Sequence, residues 1–502
     1  MSQNISKTKS GIKGFTWMFF GNLFNKFSHI LIIGILARLL TPQDFGILGI
    51  ILIFVSFSDI FTQMGIGTAI VQKEDITKSH ISLGYSLSVL IGVFVGIIFY
   101  FLAPYIGRFF NLEDLEGPIR FFSFFFPIKS MNSVSYALLQ RDLKFDAWVK
   151  SSSISYFFGY GLTSITFALL GYGYWSLIYG QLAIMTVNTL VLMFYVTPTF
   201  SLIHSKKTYK DLLFFGSGFA LDTYINFFAD NIDNLIIGKV LGTSSLGLYS
   251  RAFQLFAIPA SFFGSIYDKV LFPILSSTQS NKEKISSFYI FSISFCLLIL
   301  IPLSLILLFN AELIITILLG SSWLEVKLPF QILVVGLFTR FGTKINKSFL
   351  KSLGLVYQGI YYQTIYALMM VAFCFIGVKY YGIVGAAAGV VLTNILNYIQ
   401  VSFRILKVTN YTFLYFLKLH LSAFFNYSPI ILLIVGAFLL DYNDNIIAVL
   451  LTLFIILPLL IIPIINKSSF FYESTNIKML KQVINNSPSV VRRVSLKFKS
   501  LL

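Results

Sequence analysis

Apolar runs of about 20 residues alternate with short polar turns along the whole chain, each run long enough to cross bilayer hydrocarbon as a helix. Fourteen such runs are predicted, near 15–38, 45–66, 81–106, 119–139, 147–170, 174–196, 209–238, 246–273, 285–308, 328–350, 357–377, 382–405, 417–440 and 446–465. The turns between them are too short for an inserted soluble domain. The pattern predicts an all-α integral membrane protein.

One turn occurs twice. Ala37-Arg-Leu-Leu-Thr-Pro-Gln-Asp-Phe-Gly46 returns, at an offset of 201 residues, as Gly238-Lys-Val-Leu-Gly-Thr-Ser-Ser-Leu-Gly247. Arg38 falls on Lys239, Leu40 on Leu241 and Gly46 on Gly247. Pro42 stops helix continuation and disfavours α geometry at Thr41, and Gly242 with the two serines serves the same end in the copy. A second echo sets Gly171-Tyr-Gly-Tyr-Trp-Ser-Leu-Ile-Tyr-Gly180 against Tyr380-Tyr-Gly-Ile-Val-Gly-Ala-Ala-Ala-Gly389, with Gly173 on Gly382 and Gly180 on Gly389. Six spans therefore repeat as six in the same orientation. The expected division is an amino-terminal lobe at 1–200, a carboxy-terminal lobe at 201–408, two additional spans at 409–466 and a basic tail at 467–502. The two six-helix lobes are expected to be pseudo-symmetric around a central cavity. The pairs Gly92/Gly96 and Gly385/Gly389 have the small-xxx-small spacing of close helix packing.

Composition narrows the class. The chain of 502 residues is 57% hydrophobic and 11% charged, whereas a soluble domain carries about 25% charge. A net charge of +17 would suit nucleic acid if it were clustered, but the basic residues sit in loops between spans. With the amino terminus in the cytoplasm, inside segments hold twenty-six Lys and Arg and outside loops five, which the positive-inside rule explains. Both termini are expected in the cytoplasm, and no nucleic-acid partner is expected. The tail interleaves basic and apolar residues, as either a segment lying on anionic lipid or a solvated end. The first apolar run lacks a small-residue cleavage site and reads as a span, not a cleaved signal. Cys296 and Cys374 lie in apolar runs and are expected to be buried thiols.

Charges inside the spans carry the functional argument, because each costs at least about 2.5–3.5 kcal/mol at mid-bilayer and so faces the bundle interior. Span one carries Asn22, Lys26 and His29 on one face, with Lys26 near mid-depth. Span two carries Ser56, Asp59 and Gln63. Span four runs from Arg120 to Lys129. Span seven carries a stripe of Asp222, Asn226, Asp230 and Asp233, the last near its outer end. Arg251 and Asp268-Lys269 mark the ends of span eight, and Arg340 opens a basic face on span ten that continues through Lys344, Lys347 and Lys351. Lys26, Lys129, Arg251, Arg340 and Arg120 are the candidate substrate-binding residues. Asp59, Asp222, Asp230, Asp233 and Asn22 are the candidate coupling or gating residues. Snorkelling at a helix end remains the alternative for Arg120 and Arg251. An interior rich in cations suits a cargo carrying phosphate or acidic sugars. No nucleophile elbow, Walker loop, catalytic carboxylate pair or metal-ligand spacing is present.

Three of these stretches carry a resemblance. Ala37 to Gly46, Leu138-Leu-Gln-Arg-Asp-Leu-Lys-Phe145 and Gly171-Tyr-Gly-Tyr-Trp175 resemble bacterial polysaccharide flippases, the Wzx-type branch of the multidrug/oligosaccharidyl-lipid/polysaccharide exporter superfamily. The resemblance spans most of residues 10–405. It implies a non-enzymatic protein of the bacterial inner membrane that moves undecaprenyl-pyrophosphate-linked oligosaccharide to the outer leaflet by alternating access. It also implies a cation-rich cavity, which Lys26, Lys129 and Arg251 match by type. Lipid-linked oligosaccharide and membrane lipids are the implied partners, with polysaccharide polymerase and export machinery beside them. No cofactor is expected, and coupling to H+ or Na+ stays open. A drug/ion antiporter of the same superfamily and a membrane-embedded glycan polymerase or ligase are the rival readings. The short outer loops count against the enzyme, and the cation-rich interior counts against the antiporter.

Overall fold

A computed structural model describes the backbone of residues 2–63, 66–203, 205–266, 282–409 and 411–439; within these, the side chains of 2–16, 19, 59–63, 211, 213–223, 262–266, 282, 356–357 and 429–439 lie outside the description. All regular structure in the described residues is helical. Contacts divide the chain into two units. The first is Met1–Ser250 with Leu318–Trp323; the second takes in the described residues from Arg251 to Ile317 and from Leu324 onward. Five helices are long and apolar enough to cross a membrane among the described residues: Phe20–Leu39, Lys78–Phe110, Tyr174–Tyr195, Glu283–Phe309 and Gln358–Leu406. A pair bent by 45°, Ser321–Val335 and Leu337–Ser352, makes a sixth if it is one span.

The first unit opens with α1 (Ser2–Leu39) and α2 (Pro42–Gln63). Pro42 occupies the first turn of α2, where its missing N–H costs nothing. Thr41 and Asp44 close the turn, the Asp44 carboxylate accepting from the Thr41 N–H at 2.8 Å and from its hydroxyl at 2.7 Å. Then come α3 (Ile66–Gln72), α4 (Lys78–Phe110), α5 (Glu116–Ser123), α6 (Phe126–Arg141), α7 (Phe145–Ile154), a π-helical segment (Ser155–Leu162), α8 (Thr163–Leu169) and α9 (Tyr174–Tyr195). Asn111 ends α4 in the left-handed region at φ 57°. Large apolar side chains of α4 face outward, Phe94 at 64% and Phe101 at 68% exposure, as a lipid-facing surface requires. Its other face packs on α5 and α6: a Cβ on Gly92 would meet Pro127 Cα at 2.8 Å, and one on Gly96 would meet the Ser123 carbonyl at 2.5 Å. The first glycine pair is therefore a packing device.

The long helix α10 (Lys206–Ile266) breaks at Gly242, whose φ of 82° only glycine adopts freely. Around this break the repeated turns meet. A Cβ on Gly46 would lie 1.8 Å from the Thr243 carbonyl oxygen, and one on Gly247 would lie 1.8 Å from the Pro42 carbonyl oxygen. Pro42 and Thr243 are themselves equivalent at the offset of 201 residues. The contact is therefore reciprocal, as between two objects related by a local two-fold axis. Each copy also receives a further segment. Trp323 donates from Nε1 to the Ala37 carbonyl at 2.7 Å and sets its ring edge-on to Phe45. In the other copy, the Lys239 ammonium bonds the Phe109 carbonyl and Gly238 packs on Phe110.

The second unit contains α11 (Lys282–Phe309), α12 (Ala311–Leu318, shared with the first unit at its last residue), α13 (Lys327–Val335), α14 (Leu337–Ser352), α15 (Val356–Leu406) and α16 (Phe413–Leu439). At 51 residues α15 is far longer than one crossing, and it breaks at Gly382. There φ is 57° and ψ −140°; at Gly173, the equivalent glycine of the first copy, φ is 53° and ψ −134°. The two turns share one strained conformation that side chains with a Cβ avoid. Past the break, Gly385 lies against the Gly377 carbonyl and Gly389 against that of Phe373. Cys296 and Cys374 are buried free thiols, as expected from their apolar runs.

A buried polar network ties this unit together. Tyr289 donates to Asn346 Oδ1 at 2.9 Å, Asn346 Nδ2 donates to Ser402 Oγ at 2.9 Å, and Tyr398 lies 3.0 Å from His420 Nε2. His420 Nδ1 is 2.7 Å from the Phe416 carbonyl, so Nδ1 carries the proton and Nε2 accepts from Tyr398. Asn346→Ala removes the acceptor of the buried Tyr289 hydroxyl and a donor to Ser402. It is expected to cost about 1–3 kcal/mol, read as a lower thermal midpoint of the purified protein in detergent; an unchanged midpoint would show that the network adds no net stability.

Candidate substrate cavity

Within the first unit α2, α3, α6, α7 and α9 line a half-open cavity of 710 Å³. The helix α6 supplies its polar wall. Lys129, Asn132, Ser133, Tyr136 and Gln140 recur at steps of three and four and so share one face. Opposite them α9 contributes Gln181 and Asn188, seven residues apart and again on one face, while α3 adds Gln72 and α7 adds Trp148. The π-helical segment packs closely on α9, where a Cβ on Gly159 would lie 2.8 Å from Ile184 Cα.

The wall is pre-organised. Tyr136 and Ser151 both donate to Asn188 Oδ1, at 2.8 and 2.5 Å. With its oxygen engaged twice, the Asn188 amide turns its N–H groups elsewhere. Asn132 Oδ1 receives the Thr189 hydroxyl at 2.9 Å. The Tyr136 ring packs against Trp148 with centroids 4.6 Å apart. Among the described residues Lys129 is the charged member of the lining. Such a surface offers mainly hydrogen-bond donors, adaptable amides and one cation inside an otherwise apolar bundle.

The profile of the family described as "Polysaccharide biosynthesis protein" matches residues 35–328. The chain belongs to this polysaccharide biosynthesis family. The matched stretch includes every residue that lines the cavity. Among curated relatives, it is 27% identical over 377 residues to an uncharacterized membrane protein in the cps region of Klebsiella pneumoniae, covering 74% of this chain and 77% of that one. It is 25% identical over 382 residues to lipopolysaccharide biosynthesis protein WzxC of Escherichia coli, covering 74% and 76%. Among solved structures, the lipid II flippase MurJ in its inward closed conformation superposes with a TM-score of 0.71 at 17% identity, over 90% of this chain and 97% of that one. The chain thus shares the all-helical fold of that structure.

In this polysaccharide biosynthesis protein the other residues singled out from the sequence have varied surroundings. Lys26 and Asn22 are half-buried on α1, off the face where Phe20, Phe24 and Phe27 are exposed. Next to them Asn25 donates to Ser152 at 3.1 Å and His29 packs on Tyr156 at 5.3 Å. They do not line the 710 Å³ cavity. Arg120 pairs with Glu116 at 2.9 Å and lies over the Tyr100 ring at 5.1 Å, outside the cavity lining. Asp230 is exposed. Asp233 is buried at 2% exposure; one carboxylate oxygen accepts from the Tyr249 hydroxyl at 2.8 Å and the other from the Asn234 N–H at 2.8 Å. In the second unit Arg340 lies over Phe253 at 4.8 Å, on the helix that carries Arg251, and Arg251 donates to Gln254 at 2.5 Å. The side chains of Asp59 and Asp222, and residues 268 and 269, lie outside the description.

The uncharged partners of Lys129 were missed from sequence. Asn132, Tyr136, Gln140, Gln181 and Asn188 are each ordinary in a helix, and a search for intramembrane charges passes over them. Their spacing of three, four and seven on apolar helices was the available signal.

Proposed function

We propose that this protein is a flippase that carries undecaprenyl-pyrophosphate-linked oligosaccharide from the cytoplasmic to the outer leaflet. The observation that carries the reading is the cavity itself, a chamber of lysine, amides and hydroxyls inside an apolar helical membrane protein. Each unpaired polar group of a glycan costs several kcal/mol in hydrocarbon, on the order of 2–7. A polar chamber removes that cost while the lipid tail stays in the bilayer. Family membership supports a role in polysaccharide biosynthesis, the name of WzxC points to lipopolysaccharide, and MurJ, whose fold is similar, is named a flippase of a lipid-linked precursor. The protein works on this reading as a transporter and catalyses no covalent step.

The remaining parts of the reading follow from the duplicated sequence. About fourteen spans form two six-helix lobes, 1–200 and 201–408, with two additional spans and both termini in the cytoplasm of a bacterial cell. The lobes rock to open a central path to one leaflet at a time. Lys26, Arg251 and Arg340 meet the anionic head of the cargo along that path, and the acids at 59, 222, 230 and 233 exchange partners as it opens. If H+ or Na+ is coupled, the membrane field contributes about 2.3 kcal/mol per charge per 100 mV. A polymerase on the far side takes the delivered repeat units.

Deleting the gene is expected to strand lipid-linked repeat units on the cytoplasmic leaflet. They would be protected from a glycosidase added to spheroplasts and released to it when the gene is restored. Digestion at the parental rate in the deletion strain would overturn the reading.

A further inference from the structure

The joint between the two sequence repeats runs without helix from Val196 to Ile203, yet it is pinned to the first bundle along its length. Val196 packs beside Leu139 and Leu192. The Ser201 N–H donates to Ser86 Oγ on α4 at 2.9 Å, and the Phe200 ring stands edge-on to Tyr85 at 5.9 Å. The Tyr209 hydroxyl donates to the Leu202 carbonyl at 2.7 Å, which folds residues 202–203 back beside the first turn of α10. Ser205 caps that turn, its hydroxyl accepting from the Thr208 N–H at 3.3 Å.

A joint held this way could tuck its apolar side chains inward. It turns them out. Ile203 is 94% exposed, and Phe194, at the end of α9, is 88% exposed, the highest values for large apolar side chains among the described residues. Leu202 is exposed as well. Lys206, Lys207 and Lys210 follow within seven residues of Ile203, and all three are exposed. Against these three lysines the local sequence sets one acid, Asp211.

Either half of this pattern has an ordinary reading by itself. Exposed apolar groups on a span face acyl chains, and exposed lysines beyond a span face water. Here both occur in one segment, where the chain leaves α9 and enters α10, and no single phase suits them together. Water disfavours Ile203, and hydrocarbon disfavours the lysines. A surface with acyl chains on one side and phosphate on the other suits both. A soluble polyanion would meet the lysines and leave Ile203 in water. A zwitterionic headgroup would accept Ile203 and gain little from the excess of positive charge.

We propose that this joint is an interfacial strap that binds anionic phospholipid. Leu202 and Ile203 enter the acyl boundary, Lys206, Lys207 and Lys210 gather the anionic headgroups, and together they fix the depth at which α10 begins. The proposal goes beyond the transport reading and needs nothing from the cargo.

The test uses the full-length purified protein in phosphatidylcholine nanodiscs, with an environment-sensitive fluorophore attached through Ile203→Cys; the native thiols Cys296 and Cys374 are buried. Equal amounts of nitroxide-labelled phosphatidylglycerol or phosphatidylcholine are added as quenchers. Both lipids are expected to quench. The anionic one should do so about fivefold more effectively, the effect of one lysine at an anionic surface, and the preference should shrink as salt is raised. Replacing the lysines together, by Lys206→Gln, Lys207→Gln and Lys210→Gln, should abolish the preference and leave quenching by phosphatidylcholine unchanged, which also shows that the strap is still in place. Equal quenching of the wild-type lysine set by the two lipids, a preference that survives the triple replacement, or quenching by aqueous iodide and by neither lipid would overturn the strap. None of these results bears on the leaflet assay of the deletion strain, so the strap and the transport reading fail separately.

Discussion

Gly46→Ala is expected to be the most damaging single methyl group that can be added to this protein. The new Cβ would sit 1.8 Å from the Thr243 carbonyl oxygen, and a main-chain oxygen at a helix break cannot rotate aside as a side chain can. Intrinsic helix propensity argues the other way, favouring alanine over glycine by about 1 kcal/mol within α2. The collision wins, because overpacking against backbone lies at or beyond the upper end of the usual cost, about 3 kcal/mol. We expect a large fall in the thermal midpoint, low yield of folded protein and loss of surface polysaccharide. Gly247→Ala should behave alike, since its Cβ would meet the Pro42 carbonyl at the same 1.8 Å. The double variant should cost less than the sum, because parting the two backbones once relieves both collisions. Gly359→Ala is the control: it is the same chemical change on α15 with nothing within 4 Å of the new atom. A midpoint for Gly46→Ala equal to that of the control would sink the argument.

Lys129→Ala should have the largest effect on transport at unchanged protein level. It removes the one charge among the described residues of the cavity lining. A charge-assisted hydrogen bond contributes about 1.5–3 kcal/mol, so flux of lipid-linked repeat units at limiting cargo is expected to fall by about tenfold or more. Lys129→Arg keeps the charge and should retain part of the flux. The thermal midpoint should move little, because the ammonium lines a cavity and is not part of the packed core. Wild-type flux in Lys129→Ala, measured with the spheroplast assay, would remove lysine from the transport path.

The duplication was legible because turns are written in glycine and proline, whose backbone demands are few and specific. Gly46 and Gly247 could be matched across 201 residues, and they meet in space; Gly173 and Gly382 could be matched across 209, and their φ and ψ agree within a few degrees. The pairing of Arg120 with Glu116, a step of four on one helix, went unread, because Arg120 was weighed only as a substrate-binding cation or a snorkelling one. The cavity was harder. Only Lys129 announced itself, by the expense of its charge in a span. Asn188 and Gln181 carry no such expense, and Asn188 is held by Tyr136 and Ser151, which lie 52 and 37 residues away in sequence. The partner of Asp233 was not legible, because Tyr249 follows it by sixteen residues on the far side of the Gly242 break.

The reciprocal meeting of the two turns bears on how the halves could drift apart in sequence. What each copy asks of the other is a carbonyl oxygen, which every residue has, and a missing Cβ at one position. Genetic change at the remaining positions of the turn leaves that demand untouched, so Thr41 could give way to Gly242 and Pro42 to Thr243 without loss of fit. A symmetry held by main-chain atoms tolerates change in the side chains around it, and at these two turns the matching glycines Gly46 and Gly247 are all that it requires.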